Sequence, residues 1–136
     1  MPGTIKTESG AIKVLIAEDD KFLKNVLKSK LTAEGFQILM TSDGVETMEM
    51  VAKEKPDILL LDIIMPRKNG FDVLEEIRLN AQIRDLPVII LSNLGQDEDV
   101  KRGLALGAVD FLIKSDHSLS EVVDKVKLYA ATTKKK

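Results

Sequence analysis

Apolar residues fall along this chain in two rhythms that take turns. Short, mostly apolar runs at 12–17, 36–40, 58–61, 88–91 and 110–113 have the length of strands, are rich in Ile, Val and Leu, and are each followed by polar or turn-forming residues. Between them, apolar positions recur at intervals of three and four. The first such set is Phe22, Leu23, Val26, Leu27 and Leu31, and the second is Val45, Met48, Val51 and Ala52. Phe71, Leu74 and Ile77 form the third, a polar-led stretch to about Leu106 the fourth, and Leu119, Val122, Val123, Val126 and Tyr129 the last. This spacing predicts five amphipathic helices. Five strand-then-helix units, with strands too apolar to leave one face in water, predict an α/β fold: a doubly wound, five-stranded parallel sheet with helices on both faces.

Local punctuation agrees with that reading. Asp20 can cap the first helix and Gly35 close it, while Ser42, Asp43 and Gly44 lead into the second, which Pro56 ends. Gly107 terminates the fourth, and Ser118 with Glu121 has the S-x-x-E form of a capping box opening the fifth.

Size and composition narrow the field. The 136 residues suffice for one domain and not two. We expect residues 11–131 to fold, 1–10 to be a disordered leader and 132–136 a basic tail. A formal net charge of −2 argues against a general nucleic-acid binder. Without cysteine there is no disulfide framework, thiol nucleophile or thiolate metal site. No apolar run reaches signal-peptide or membrane-spanning length, so a soluble cytoplasmic protein without membrane insertion is expected.

The chemistry gathers at the ends of the apolar runs. Residues 58–61 stop on Asp62, and a charge closing a buried strand is costly unless it is paired, metal-bound or open to water. The first run stops on Glu18 and Asp19, the fourth on Ser92 and the fifth on Lys114. In a sheet of flavodoxin-like order the first and third strands are neighbours at the switch point, which would face Glu18, Asp19 and Asp62 across one crevice. Such a cluster holds either a proton or a hard cation such as Mg²⁺. With the cation, Asp62 would act as nucleophile and metal ligand, Asp19 as a direct ligand, and Glu18 as a ligand through water. Lys114 and Ser92 would hold phosphoryl oxygens in a transfer to Asp62.

Residues 14–20 (VLIAEDD), 56–66 (PDILLLDIIMP) with Gly70, 86–92 (LPVIILS), Gly107-Ala108 and 110–114 (DFLIK) resemble, in this order and at these separations, the receiver domain of two-component response regulators. The likeness is to the single-domain, chemotaxis-regulator-like kind. It implies strand order 2-1-3-4-5 and Mg²⁺- or Mn²⁺-dependent phosphorylation of Asp62 by a sensor histidine kinase or histidine phosphotransfer protein. It also implies metal ligation by the Ile64 backbone carbonyl and a switch through Ser92 and an inward-turning Phe111. That switch would remodel the surface of the fourth helix, fifth strand and fifth helix for a downstream effector protein, and allows homodimerisation on phosphorylation. The resemblance makes the protein a signalling switch, not an enzyme acting on other molecules. With no output domain expected after the fifth helix, output would be a protein contact or phosphate relay.

The family's usual Pro after the Lys is Ser115 here, which puts the reach of Lys114 in question. Ile64 and Leu94 are expected to flank the phosphoryl group as apolar side chains and slow its hydrolysis. Plainer roles are expected elsewhere: a cap for Asp20, solvation for His117, and core filling for the methionines apart from Met65 in its loop. Two other activities on this architecture fail on residues. An acidic first loop would repel a flavin phosphate, and a haloacid-dehalogenase-type phosphatase needs an Asp where Ile64 stands. No nucleotide-binding glycine motif is present. A phosphorylation-independent interaction module on the same fold is the remaining alternative.

Overall fold

In the computed structural model, residues 11–134 are described. Strand β1 (Lys13–Ala17) leads to helix α1 (Lys21–Ala33), and β2 (Gln37–Thr41) to α2 (Gly44–Glu54). Strand β3 (Ile58–Leu61) is followed by α3 (Gly70–Leu79), β4 (Val88–Ser92) by α4 (Asp97–Ala105), and β5 (Asp110–Ile113) by α5 (Leu119–Lys134). The strands form one parallel sheet in the order β2-β1-β3-β4-β5. Chain direction across the sheet therefore reverses at β1, and a crevice opens where the connections after β1 and β3 part.

Alternation along the strands divides the core. Leu15, Leu59, Leu61, Val88, Ile90 and Phe111 point to one face and meet Val51, Phe71, Leu74 and Ile77 of α2 and α3. Val14, Ile16, Ile58, Leu60, Ile89 and Leu112 point to the other and meet Leu27 and Leu31 of α1 with Val122, Val123 and Val126 of α5. Both faces being covered, the central strands β3 and β4 are buried along their whole length and need no polar side, while the edge strand β2 is half-buried.

The end signals act as their chemistry requires. Asp20 accepts the Phe22 and Leu23 N–H groups, and Gly35, at φ +97°, closes α1 in the left-handed conformation that glycine adopts without a Cβ penalty. Ser118 and Glu121 exchange hydrogen bonds of 2.7 and 3.2 Å in a complete capping box. Lys55 takes φ +49° between α2 and Pro56, whose ring disfavours a right-handed helical residue before it.

Several side chains depart from their expected places. Phe22 is 77% exposed, because Leu23, Leu27 and Leu31, four apart, follow the sheet and place Phe22 about 100° away. On α2 Ala52 is exposed, and the inward position goes to Thr47, whose hydroxyl meets that of Thr41 at 2.8 Å and donates to the Asp43 carbonyl. Met65 is buried in the core beside Ile63 rather than free in its loop. His117 is half-buried, its Nδ1 3.1 Å from the Ile113 carbonyl, instead of solvated. The expected leader, 1–10, lies outside the described residues; α5 continues to Lys134, and 135–136 lie outside them as well.

Candidate functional site

The sheet ladder delivers the acidic residues to one place. Glu18 donates its N–H to Thr41 on β2, and Asp62 donates its own to Ala17 on β1, both at 3.0 Å, so the two carboxylates leave adjacent strands side by side. Glu18 and Asp62 are 3% and 5% exposed, whereas Asp19 lies open at the mouth. One carboxylate oxygen from each of Glu18, Asp19 and Asp62 lies within 4.8 Å of the others. Backbone donors orient two of them: Asp20 N–H binds Glu18 Oε2 at 3.0 Å, and Ile63 N–H binds Asp62 Oδ1 at 2.8 Å.

Lys114 reaches this cluster from two strands away. Its N–H donates to the Ser92 carbonyl at 2.8 Å, continuing the β4–β5 ladder, and its Nζ lies 2.8 Å from Glu18 Oε1 and 3.3 Å from Asp62 Oδ2. No cis peptide occurs among the described residues, so Lys114-Ser115 is trans. The loop turns instead on the Ile113 carbonyl, which accepts N–H groups from Asp116 and His117, and the lysine still arrives.

The charges do not balance: three carboxylates face one ammonium. Burial pushes the Glu18 carboxyl above its ordinary range, against the opposing pull of its bond from Lys114, and the neighbouring Asp62 charge pushes the same way as burial. Burial pulls the Lys114 ammonium down, but the Glu18 hydrogen bond and the Asp62 charge outweigh it and hold the group protonated, above its ordinary value. All the clustered donors are carboxylate oxygens with an open side at Asp19, the hard-ligand set that suits a divalent cation keeping several waters. The residues therefore fit a metal ion.

The other predicted residues are placed as follows. Ser92 is fully buried at the end of β4, and its Oγ accepts the Leu94 N–H at 3.2 Å. Phe111, expected to turn inward on activation, is already buried, its ring seated where Gly103 of α4 has no side chain; a Cβ there would lie 2.8 Å from the ring and 2.7 Å from Ile90 Cδ1. Ile64 lies in the β3–α3 loop between buried Ile63 and Met65 with its side chain 60% exposed, and Leu94 packs half-buried against the α2–α3 side of the core. The structure also shows why the motif's glycine stands where it does. Gly70 donates to the Ile63 carbonyl at 2.8 Å and sits so close to β3 that a Cβ would lie 2.3 Å from the Asp62 carbonyl oxygen. A cavity of about 220 Å³ lined by Val51, Pro56, Ile83 and Leu86 lies at the opposite end of the sheet, away from the carboxylates.

Fold and site together define a flavodoxin-like α/β domain whose switch-point crevice is an acidic pocket crossed by a lysine. Residues 14–127 match the response regulator receiver domain, and the chain belongs to that family. The transcriptional regulatory protein CpxR of Klebsiella pneumoniae is 42% identical over 102 residues, which are 75% of this chain and 42% of that protein. Response regulator MprA of Mycobacterium leprae is 32% identical over 123 residues, 90% of this chain and 53% of the relative. The chain thus spans about half or less of these relatives. The solved receiver domain of the Francisella response regulator 1452 superposes with a TM-score of 0.83 at 32% identity, covering 90% of this chain and 99% of that one. No described helix is long and apolar enough to cross a membrane.

Proposed function

We propose that this domain is a phosphoacceptor switch in the cytoplasm, modified on Asp62 by a sensor histidine kinase or histidine phosphotransfer protein. The observation that carries the reading is the Lys114 ammonium held 2.8 and 3.3 Å from two buried carboxylates at the switch point. An Asp62 carboxylate oxygen attacks phosphorus in line; the new O–P bond forms as the donor's N–P bond breaks, and the electron pair leaves with the imidazole nitrogen. The acceptor is already oriented by the Ile63 N–H. Lys114 exchanges its carboxylate partners for a phosphoryl oxygen, and the Ser92 hydroxyl turns from its own loop to donate to another. A bound Mg²⁺ or Mn²⁺ would be held by Asp19, Asp62, the Ile64 carbonyl and, through water, Glu18, and would neutralise phosphoryl charge.

Movement of Ser92 and repacking of Phe111 against α4 then alter the α4–β5–α5 surface, which contacts a downstream effector or a second phosphorylated copy. The domain promotes its own phosphorylation and slow dephosphorylation and acts on no other substrate.

The test is intact mass after incubation with Mg²⁺ and acetyl phosphate, for wild type and Asp62→Asn, with and without chelator. One phosphoryl adduct on the wild type, absent from the variant and in chelator, is expected. An adduct that survives Asp62→Asn or chelator overturns the assignment. No adduct from either acetyl phosphate or a phosphorylated kinase domain would favour a phosphorylation-independent interaction module.

A further inference from the structure

The loop that would present the Ile64 carbonyl is held from outside the site. Arg67, at its centre, adopts φ +69°, a left-handed conformation that non-glycine residues with a Cβ rarely occupy. Its guanidinium lies 2.9 Å from Asp43 Oδ2, while Asp43 Oδ1 accepts the Glu46 N–H at 2.7 Å as the cap of α2. One carboxylate thus serves the α2 terminus and the β3–α3 loop together. Those hydrogen bonds, led by the Glu46 N–H, hold the Asp43 carboxyl below its ordinary range and so ionised at neutral pH.

The neighbouring residues tighten the same junction. Gly44 N–H donates to the Pro66 carbonyl at 3.3 Å, and a Cβ on Gly44 would lie 2.0 Å from the Lys68 carbonyl oxygen. Lys68 N–H turns back to the Pro66 carbonyl at 2.8 Å, and its ammonium pairs with Glu76 of α3 at 2.9 Å. An exposed ion pair is worth little alone. Here it falls on a residue whose backbone conformation opposes steric preference, five residues beyond Asp62 in the loop that carries Ile64.

We infer that Asp43 and Arg67 are positioning residues for the metal site: their ion pair, seated on the Gly44 contact, fixes the β3–α3 loop so that Asp62 and the Ile64 carbonyl are pre-arranged for a divalent cation. This rests on the metal-assisted reading above and adds a remote support to it. Supports behind ligands commonly govern affinity, because a ligand held in place loses less freedom on binding.

The experiment is Mn²⁺ affinity by electron paramagnetic resonance, without phosphodonor, alongside amide exchange at Lys68 and Gly70. Asp43→Asn keeps a capping oxygen but loses the charge; Arg67→Gly loses the guanidinium but suits φ +69° better than arginine. Both should weaken Mn²⁺ about tenfold and speed exchange at Lys68 and Gly70. The double variant should be no worse than either alone, and Arg67→Lys should recover part of the affinity. Arg67→Gly binding as tightly as wild type would show Arg67 to be a turn residue and overturn the inference while leaving the metal site intact. A wild type that binds no Mn²⁺ would overturn the inference together with the metal-assisted reading.

Discussion

At the residue scale, the crevice is a charge problem that the chain leaves partly unsolved. Lys114 pairs with Glu18 and Asp62, and Asp19 adds a further negative charge within 4.8 Å of both. Like charges at that separation near water cost roughly 1 kcal/mol. Asp19→Asn in metal-free protein is therefore expected to raise the thermal midpoint, by about 2–5 °C; a fall would show that Asp19 makes a stabilising contact instead. Ile64 and Leu94 offer no group to orient an attacking water at a phosphorylated Asp62. We expect the adduct to decay slowly, and Ile64→Asn to shorten its lifetime severalfold when mass is followed over time. An unchanged lifetime would mean that the exposed side chain at 64 does not govern water access.

Helix α4 is the element least fastened to the rest. It is nine residues long, its Gln96 cap makes no side-chain hydrogen bond, and Gly103 is its one buried residue. Its attachments are correspondingly specific: Arg102 lies 4.2 Å above the Phe71 ring, and Gly103 provides the seat for Phe111. From α3, the Arg78 guanidinium donates to the carbonyls of Arg84, Leu86 and Gly107, bracing the turn that follows α4. Alanine at 103 favours a helix by about 1 kcal/mol over glycine, yet its Cβ would overlap the Phe111 ring. Overpacking costs about 1–3 kcal/mol and the ring edge cannot flex away as a chain end can. Gly103→Ala should lower stability by about 1 kcal/mol net in denaturant titration and shift the Phe111 ring resonances outward from their buried values. A stabilised variant with unmoved resonances would show that Ile90 alone absorbs the methyl group.

For the whole molecule, the site and the fold are thermodynamically linked. The folded crevice gathers donors after β1 and β3 that lie 44 positions apart between Glu18 and Asp62 in the unfolded chain, so a cation held there would favour the folded state. At a hundredfold excess over its dissociation constant it would add about 2.7 kcal/mol. Calorimetry should show Mg²⁺ raising the midpoint of the wild type, the rise disappearing in chelator and in Asp19→Asn. An equal rise in Asp19→Asn would remove that residue from the ligand set.

Fold class and most of the residues gathered in the candidate site were legible because both follow from short-range pattern. The apolar runs mark strands covered on two faces, the order of helices between them dictates parallel pairing, and strand-end chemistry then picks out Glu18, Asp19, Asp62, Ser92 and Lys114. Where the pattern misled, distance in the chain is the reason. Periodicity says that Phe22 or Met65 is apolar near a helix or loop, but the face turned inward depends on which neighbouring element arrives there. Likewise the seat that Gly103 makes for Phe111 against Ile90 and the Asp43–Arg67 junction join segments apart in sequence. Each depends on the close approach of two elements, a quantity that no run of residue types encodes locally and that packing settles once the sheet has formed.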